Sequence, residues 1–192
     1  MPQTMSVPAT MLVLLVLYYV NIPCAVATSV LKMSLPDIAK QAKYIFYGQV
    51  IANEVKNDPD NHTVATYTTF KILNSIKGNL GATYAIKQLG GQLPGSQQRV
   101  IAYGIPSFKL NHEYVIFLPE KSRIGFSSPI GLGQGSYTVY RDQGIAKIQI
   151  NFVEQIHKAV PATPSQQPNS GKVNNMPLKI FIDKIHQWIK PK

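Results

Sequence analysis

Two segments of the chain repeat apolar residues with the period of an amphipathic helix, and the first is residues 34–44. Its apolar positions are Leu35, Ile38, Ala39 and Ala42. Ser34 is followed three residues later by Asp37, which resembles the capping box that marks the start of a helix. The sequence therefore predicts a short helix in this segment.

The second helical segment lies near the C-terminus, over residues 177–190. Its apolar stripe consists of Leu178, Phe181, Ile182, Ile185, Trp188 and Ile189. A helix of this length is marginal on its own in water, so the stripe must be covered. We expect it to pack on the chain's own β domain. The alternative cover is an outside partner or an anionic membrane surface, which the neighbouring lysines would suit.

Between these segments the apolar positions follow the two-residue period of β-strands. The strongest predicted strands are 44–55, 63–76, 83–89 and 113–118, and further candidates are 99–103, 124–132, 136–140 and 145–150. The run EYVIFL at 113–118 is apolar at almost every position, which predicts a strand buried on both faces. Short strands separated by glycine and proline predict a mainly β domain, either a closed barrel or a sandwich.

The first 27 residues are predicted to be a secretory signal peptide. Their apolar run, residues 11–20, is too short to cross a bilayer as a helix. The tripeptide AVA at 25–27 then matches the small-residue pattern that signal peptidase recognises. The exported chain would begin at Thr28, in the periplasm or outside the cell. An uncleaved membrane anchor is the alternative, because no Lys or Arg precedes the apolar run.

The charge is strongly basic, with 19 Lys and Arg against 9 Asp and Glu and a net charge of +10. The cations are spread singly along the chain, which indicates a solvated surface with weak attraction to anionic surfaces. Specific nucleic-acid binding is not expected, because such proteins more often cluster their cations. Cys24 is the only cysteine and lies in the predicted signal peptide, so the mature chain is predicted to fold without a disulfide.

Three familiar functional motifs are either incomplete or absent in this sequence. LGGQLPG at 89–95 lacks the Lys-Ser/Thr end of a phosphate-binding loop and is not followed by a helical pattern. NHEYVI at 111–116 has isoleucine where a zinc-binding H-E-x-x-H motif needs its second histidine, and it alternates as a strand. No G-x-S-x-G nucleophile elbow is present. We therefore predict no metal, no cofactor and no catalytic residue.

A set of landmarks recurs in order over residues 34–140. They are Lys77-Gly78, Gly90-Gly91, Pro106, Phe108, Glu113, Phe117-Leu118, Gly131 and Gln134-Gly135. This succession resembles a widespread family of secreted bacterial proteins of unknown function. Asn111-His112 departs from the Gly-Glu turn of that family.

The family is similar to the OB-type barrel of the tissue inhibitors of metalloproteinases and the netrin-like modules. The resemblance implies a small OB-like barrel, which we place at residues 28–153. The polar, proline-rich composition that follows predicts a linker at 154–175, and the helical period predicts the C-terminal helix at 176–192. It also implies a binding role, with an extracellular protease as one candidate partner. The inhibitors bind the zinc of the protease through an N-terminal cysteine, and that mechanism does not carry over to a mature chain without cysteine.

We interpret the chain as a monomeric, non-enzymatic binding module that binds a protein through one face of the barrel. Tyr67, Tyr84 and Tyr103 are candidates for that face. Glu113 is a fourth candidate, because a carboxylate opens a strand that is otherwise buried. Two alternatives stay open. One is a polyanion or oligosaccharide binder, which the net charge would suit. The other is a hydrolase whose site is assembled from distant residues.

Overall fold

A computed structural model describes residues 31–97, 99–150 and 175–190. The predicted signal peptide, Thr28 and almost all of the predicted linker lie outside these ranges. The described chain is mainly β. Its strands are β1 (Tyr44–Asn57), β2 (Val64–Lys77), β3 (Thr83–Leu89), β4 (Gly91–Gln92), β5 (Arg99–Val100), β6 (Glu113–Leu118), β7 (Ser136–Asp142) and β8 (Ile145–Ile150). Its two α-helices are α1 (Leu35–Gln41) and α2 (Leu178–Ile189).

Six strands form one antiparallel sheet in the order β3-β2-β1-β6-β7-β8, and β4 pairs with β5 in a small hairpin. The sheet is not closed into a barrel, since β3 and β8 are its two edges. The closed OB-like barrel is therefore not confirmed, while the mainly β class is. The loop that follows β6, and not a further strand, bridges β6 and β3 by hydrogen bonds. In it, the Ile130 amide donates to the Phe117 carbonyl at 3.0 Å, and the Ser127 amide donates to the Lys87 carbonyl at 2.9 Å.

Two of the weaker strand predictions need correction. The segment 124–132 is a turn followed by the start of a 3₁₀ helix, Leu132–Gly135. Gly125 has a φ of +79°, and Pro129 has no amide hydrogen to donate to a ladder, so the segment cannot extend as a paired strand. The segment 99–103 is a strand only at Arg99–Val100.

The pairing of β1 with β2 shifts register at three places along β1, and irregularities of this kind bend a hairpin. Gly48 lies at one of these shifts, and a Cβ there would be 2.8 Å from the Lys71 carbonyl oxygen of β2. Only glycine allows this close approach of the two backbones without a displacement. The first half of β1 pairs with β6 as well as β2, so the bend connects the two halves of the sheet.

The hydrophobic core consists of two clusters, and β6 contributes to both of them. Val115 and Phe117 belong to the cluster under the helices, while Tyr114, Ile116 and Leu118 belong to the cluster on the other face. All five side chains are buried, which confirms the predicted burial of this strand on both faces. The second cluster is rich in aromatic rings that meet edge to face.

Both helices pack on the same face of the sheet. Ser34 caps α1 by accepting a hydrogen bond from the Asp37 amide, as the sequence predicts. On α2, Phe181 and Ile185 are fully buried in the first cluster, and Trp188 is half-buried against it. The C-terminal helix therefore packs on the chain's own β domain. Of the helices in the described ranges, none has the length and apolar character needed to cross a bilayer.

The chain that leads into α2 covers the middle of the β8 edge. The Ile148 amide donates to the Met176 carbonyl at 2.9 Å, and the Asn175 amide donates to the Ile148 carbonyl at 3.0 Å. Helix α2 is thus tied to the sheet by main-chain hydrogen bonds as well as by its apolar stripe.

We expect Phe181→Ala to lower the free energy of unfolding by about 3–5 kcal/mol, because it leaves a cavity between α2 and the sheet. Ile180→Ala on the exposed side of the same helix is the matched control and should change it by less than about 0.5 kcal/mol. Urea unfolding followed by the fluorescence of Trp188, the single tryptophan, measures both. Equal effects of the two substitutions would contradict the packing of α2.

Candidate functional site

The candidate site is a cleft of about 370 Å³ at one end of the sheet, which we call the loop-end cleft. It is lined by Asn61, Thr63, Leu89, Ile105, Ile124, Phe126, Ser127 and Ser128. These residues come from the β1–β2 turn, the end of β3 and two loops. Leu89 is 42% exposed and Ile124 is 49% exposed, so the cleft presents apolar surface to solvent. Loops held by a rigid sheet are a common place for binding sites.

A buried ion pair lies beside this cleft. Asp58 in the β1–β2 turn is 1% exposed, and Lys87 of β3 is 9% exposed. The Lys87 Nζ atom donates to Asp58 Oδ1 at 2.9 Å and lies 3.5 Å from Asp60 Oδ2. Burial of either charge alone would be unfavourable, and the pair makes the burial tolerable.

The Asp58 carboxylate has further donors. The Tyr67 hydroxyl donates to Oδ1 at 2.9 Å, and the Asn61 side-chain amide donates to Oδ2. The hydrogen bond from Lys87, together with those from Asn61 and Tyr67, lowers the pKa of Asp58 to about 2 against the opposing effect of burial. The same contact with Asp58 raises the pKa of Lys87. Both groups are therefore charged at neutral pH.

Lys87 connects three elements that border the cleft. Its ammonium group reaches the β1–β2 turn through Asp58 and lies 4.7 Å from the centre of the Phe126 ring. Its main-chain carbonyl accepts a hydrogen bond from Ser127 in the same loop as Phe126. One residue of β3 thus fixes the turn on one side of the cleft and the loop on the other.

Ser127 gives the cleft an unused polar group. Its hydroxyl oxygen is buried and has no hydrogen-bond partner among the described residues. A buried hydroxyl without a partner is unfavourable and is satisfied when a bound group supplies a donor or acceptor. A nucleophilic serine is activated by a base within hydrogen-bond reach, and the Ser127 hydroxyl has no such neighbour among the described residues. The cleft is therefore suited to holding an apolar side chain beside a polar main-chain group.

The structure does not bring the four predicted site residues together. Tyr67 lies beside the Asp58–Lys87 pair, and Tyr103 is exposed in the loop that leads to Ile105 of the cleft. Tyr84 is three residues from Lys87 along β3 and therefore points to the opposite face. There it packs against the aromatic cluster, with burial raising the pKa of its hydroxyl.

Glu113 is part of a separate polar cluster. Its carboxylate accepts a hydrogen bond from the Tyr47 hydroxyl at 2.5 Å and one from Arg141 at 3.1 Å. Burial, assisted by the neighbouring Glu113, raises the pKa of Tyr47 to about 12. The hydroxyl, the carboxylate and the guanidinium therefore supply hydrogen-bond partners to one another, as buried polar groups require.

Tyr47 also lines a groove of about 670 Å³ between α2 and the sheet. Leu73, Ile145 and Ile182 supply apolar surface there, and Asp183 and His186 are among its polar residues. We do not assign a function to this groove, because the polar cluster beside it is already satisfied. In the described ranges, no group of three or more His, Cys, Asp and Glu side chains is arranged to hold a metal ion.

Sequence reasoning missed most of the loop-end cleft. Asp58 was visible as part of the turn sequence NDPDNH at 57–62, but its partner Lys87 lies 29 residues later. Leu89 and Ile124 are ordinary apolar residues in sequence, and only their exposure in the folded chain distinguishes them.

Two comparisons with known protein sequences find no match. The scan against protein-family models finds no model that matches the chain, and the search of the curated proteins finds no match either. The resemblance to secreted proteins with an OB-type barrel therefore stays a prediction.

We expect Asp58→Asn to lower stability at neutral pH, because it leaves the Lys87 charge buried beside a neutral side chain. The folded-state pKa of Asp58 is below its usual 3.8, so its contribution is complete above that pH and is lost as pH falls toward about 2. The difference in melting temperature between wild type and variant should therefore shrink over this interval.

The matched control for this measurement is Glu54→Gln. Glu54 forms an ion pair with Lys56 at 2.8 Å, but both side chains are exposed. Because exposed pairs contribute little, this variant should melt close to wild type at neutral pH. An Asp58→Asn effect as small as that of the control, or one that does not change below pH 3.8, would contradict the role of the buried pair.

Proposed function

We propose that the protein is an exported, non-enzymatic binding module that takes a segment of a partner protein into the loop-end cleft. The single observation that carries this proposal is the composition of the cleft. Exposed Leu89 and Ile124 border it, and a buried Ser127 hydroxyl in its wall has no partner among the described residues. An apolar side chain next to a main-chain group would satisfy both features.

The rigidity of the cleft walls supports binding without a large rearrangement. Asp58, Lys87 and Phe126 hold the surrounding turn and loop in place before any partner arrives. A preformed site loses less conformational entropy on binding than a flexible one. Export is part of the proposal and rests on the signal-peptide pattern in residues 1–27.

We also propose that the domain is related to the OB-type barrels. The bent β1–β2 hairpin and the loop bridging β6 and β3 favour this relation, because OB-folds are partly open barrels that bind through one face and its adjoining loops. By the same resemblance, an extracellular protease is one candidate partner.

A polyanion binder is the second candidate function, and the charge is the observation that favours it. The chain has 19 basic and 9 acidic side chains. Among the described residues, the cations in ion pairs are Lys56, Lys87, Arg141 and Lys147. Other lysines and arginines therefore remain for contacts with anions, and such binding would weaken steeply as salt is raised.

The test immobilises the mature protein, passes the native culture fluid over it and measures how much of an exported partner is retained. We expect Ile124→Ser to weaken retention by about tenfold or more, because it removes a large apolar side chain that the partner would bury on binding. Leu73→Ser is the matched control, since Leu73 is 44% exposed but lines the groove beside α2. It should leave retention unchanged.

Two outcomes would contradict the proposal. Equal retention by the wild-type protein and Ile124→Ser would exclude the loop-end cleft as the binding surface. If retention is unchanged by Ile124→Ser and by Leu73→Ser but is lost in moderate salt, the result would favour the polyanion binder instead.

A further inference from the structure

Strand β3 is an edge of the sheet, and part of that edge is free for another strand. Alternate residues of an edge strand direct their main-chain groups toward the neighbouring strand or away from it. In the chain around β3, the Ala82 carbonyl and the Gly90 amide both bond to β2. Residues 84, 86 and 88 share their direction, so Thr83, Ala85 and Lys87 direct their amide and carbonyl groups outward.

The outward direction is confirmed at Lys87, whose carbonyl accepts the hydrogen bond from Ser127. No described strand pairs with the outward groups of Thr83 and Ala85, and both residues are exposed. These two residues therefore present two amide donors and two carbonyl acceptors in the spacing of a β-ladder.

We propose that the partner segment adds to this edge as a strand, pairing with Thr83 and Ala85 while one of its apolar side chains enters the loop-end cleft. This inference rests on the proposed function and gives it a mode of recognition. Strand addition gives affinity through main-chain hydrogen bonds and specificity through side-chain pockets.

The free edge and the cleft are continuous. Phe126, which pairs with Lys87 as an isolated parallel bridge, covers the edge immediately after Ala85 and is also a wall of the cleft. A segment that leaves the edge at this point meets Ile124 and Phe126. Ser127, whose buried hydroxyl has no partner among the described residues, follows Phe126 in the same wall of the cleft.

Charge indicates an acidic partner segment rather than a second copy of the chain. Lys121 places its ammonium group 4.9 Å from the Tyr84 ring of β3, Lys71 is in register with Thr83, and Arg123 lies in the adjoining loop. Glu120 is the carboxylate that accompanies them in the same loop. Two copies of a chain with a net charge of +10 would repel one another at this edge.

The test uses the partner recovered by wild-type protein in the retention experiment, after purification. Ala85→Pro removes an amide hydrogen that is not bonded within the sheet, and proline is tolerated on the outer side of an edge strand. We expect it to weaken binding by about tenfold or more, through the lost hydrogen bond and the clash of the ring. Ala85→Val keeps the amide and should bind like wild type.

Hydrogen exchange on the wild-type complex gives a second readout that does not depend on the folding of the variant. The amides of Thr83 and Ala85 should exchange more slowly in the complex than in the free protein. Contact through side chains alone would leave their exchange unchanged.

The outcomes separate the two proposals. Weak binding by Ile124→Ser with normal binding by Ala85→Pro, or with unprotected amides, would overturn strand addition and leave the proposed function standing. Failure to retain any partner would overturn both. A wild-type dimer in sedimentation that Ala85→Pro dissociates would replace the acidic partner by a second copy and overturn the proposal as stated.

Discussion

The ion pair between Lys87 and Asp58 is the constraint on which the geometry of the loop-end cleft depends. A lysine on an edge strand would ordinarily extend into solvent. Here its ammonium group is drawn inward by a carboxylate of the β1–β2 turn and covered by the ring of Phe126. The tip of the longest hairpin and the loop after β6 therefore hold a fixed position relative to β3. Without this pair the turn would lose its contact with β3, and only the main-chain hydrogen bond from Ser127 to Lys87 would hold the loop there.

The elements that the sequence predicts well are those whose signal is local. The alternation in β2, the apolar run of β6 and the cap at Ser34 each specify their structure within a few residues. The face that α2 buries was also predictable, because a helical stripe places Phe181 and Ile185 side by side whatever they pack against.

The parts that escaped prediction depend either on backbone angles that the apolar pattern does not reveal or on contacts between distant residues. The segment 124–132 contains enough apolar residues to suggest a strand, but Gly125 and Gly131 adopt positive φ angles and Pro129 interrupts pairing. The predicted barrel is not closed. Residues 124–132 lie between β6 and β3 as a loop, and this loop is bonded to both strands without forming a strand itself. Tyr67 and Tyr84 looked equivalent in sequence, and only the register of β2 and β3 places them on opposite faces.

The covered edge of β8 has a consequence for assembly. Edge-to-edge growth of a fibre needs two free edges on every molecule, one to accept a strand and one to offer the next site. In the described part of the chain, Asn175 and Met176 occupy the middle of the β8 edge, and the available stretch of β3 is only two outward residues long. The chain that leads into the C-terminal helix therefore hinders edge-to-edge growth at β8, even though part of the β3 edge stays open.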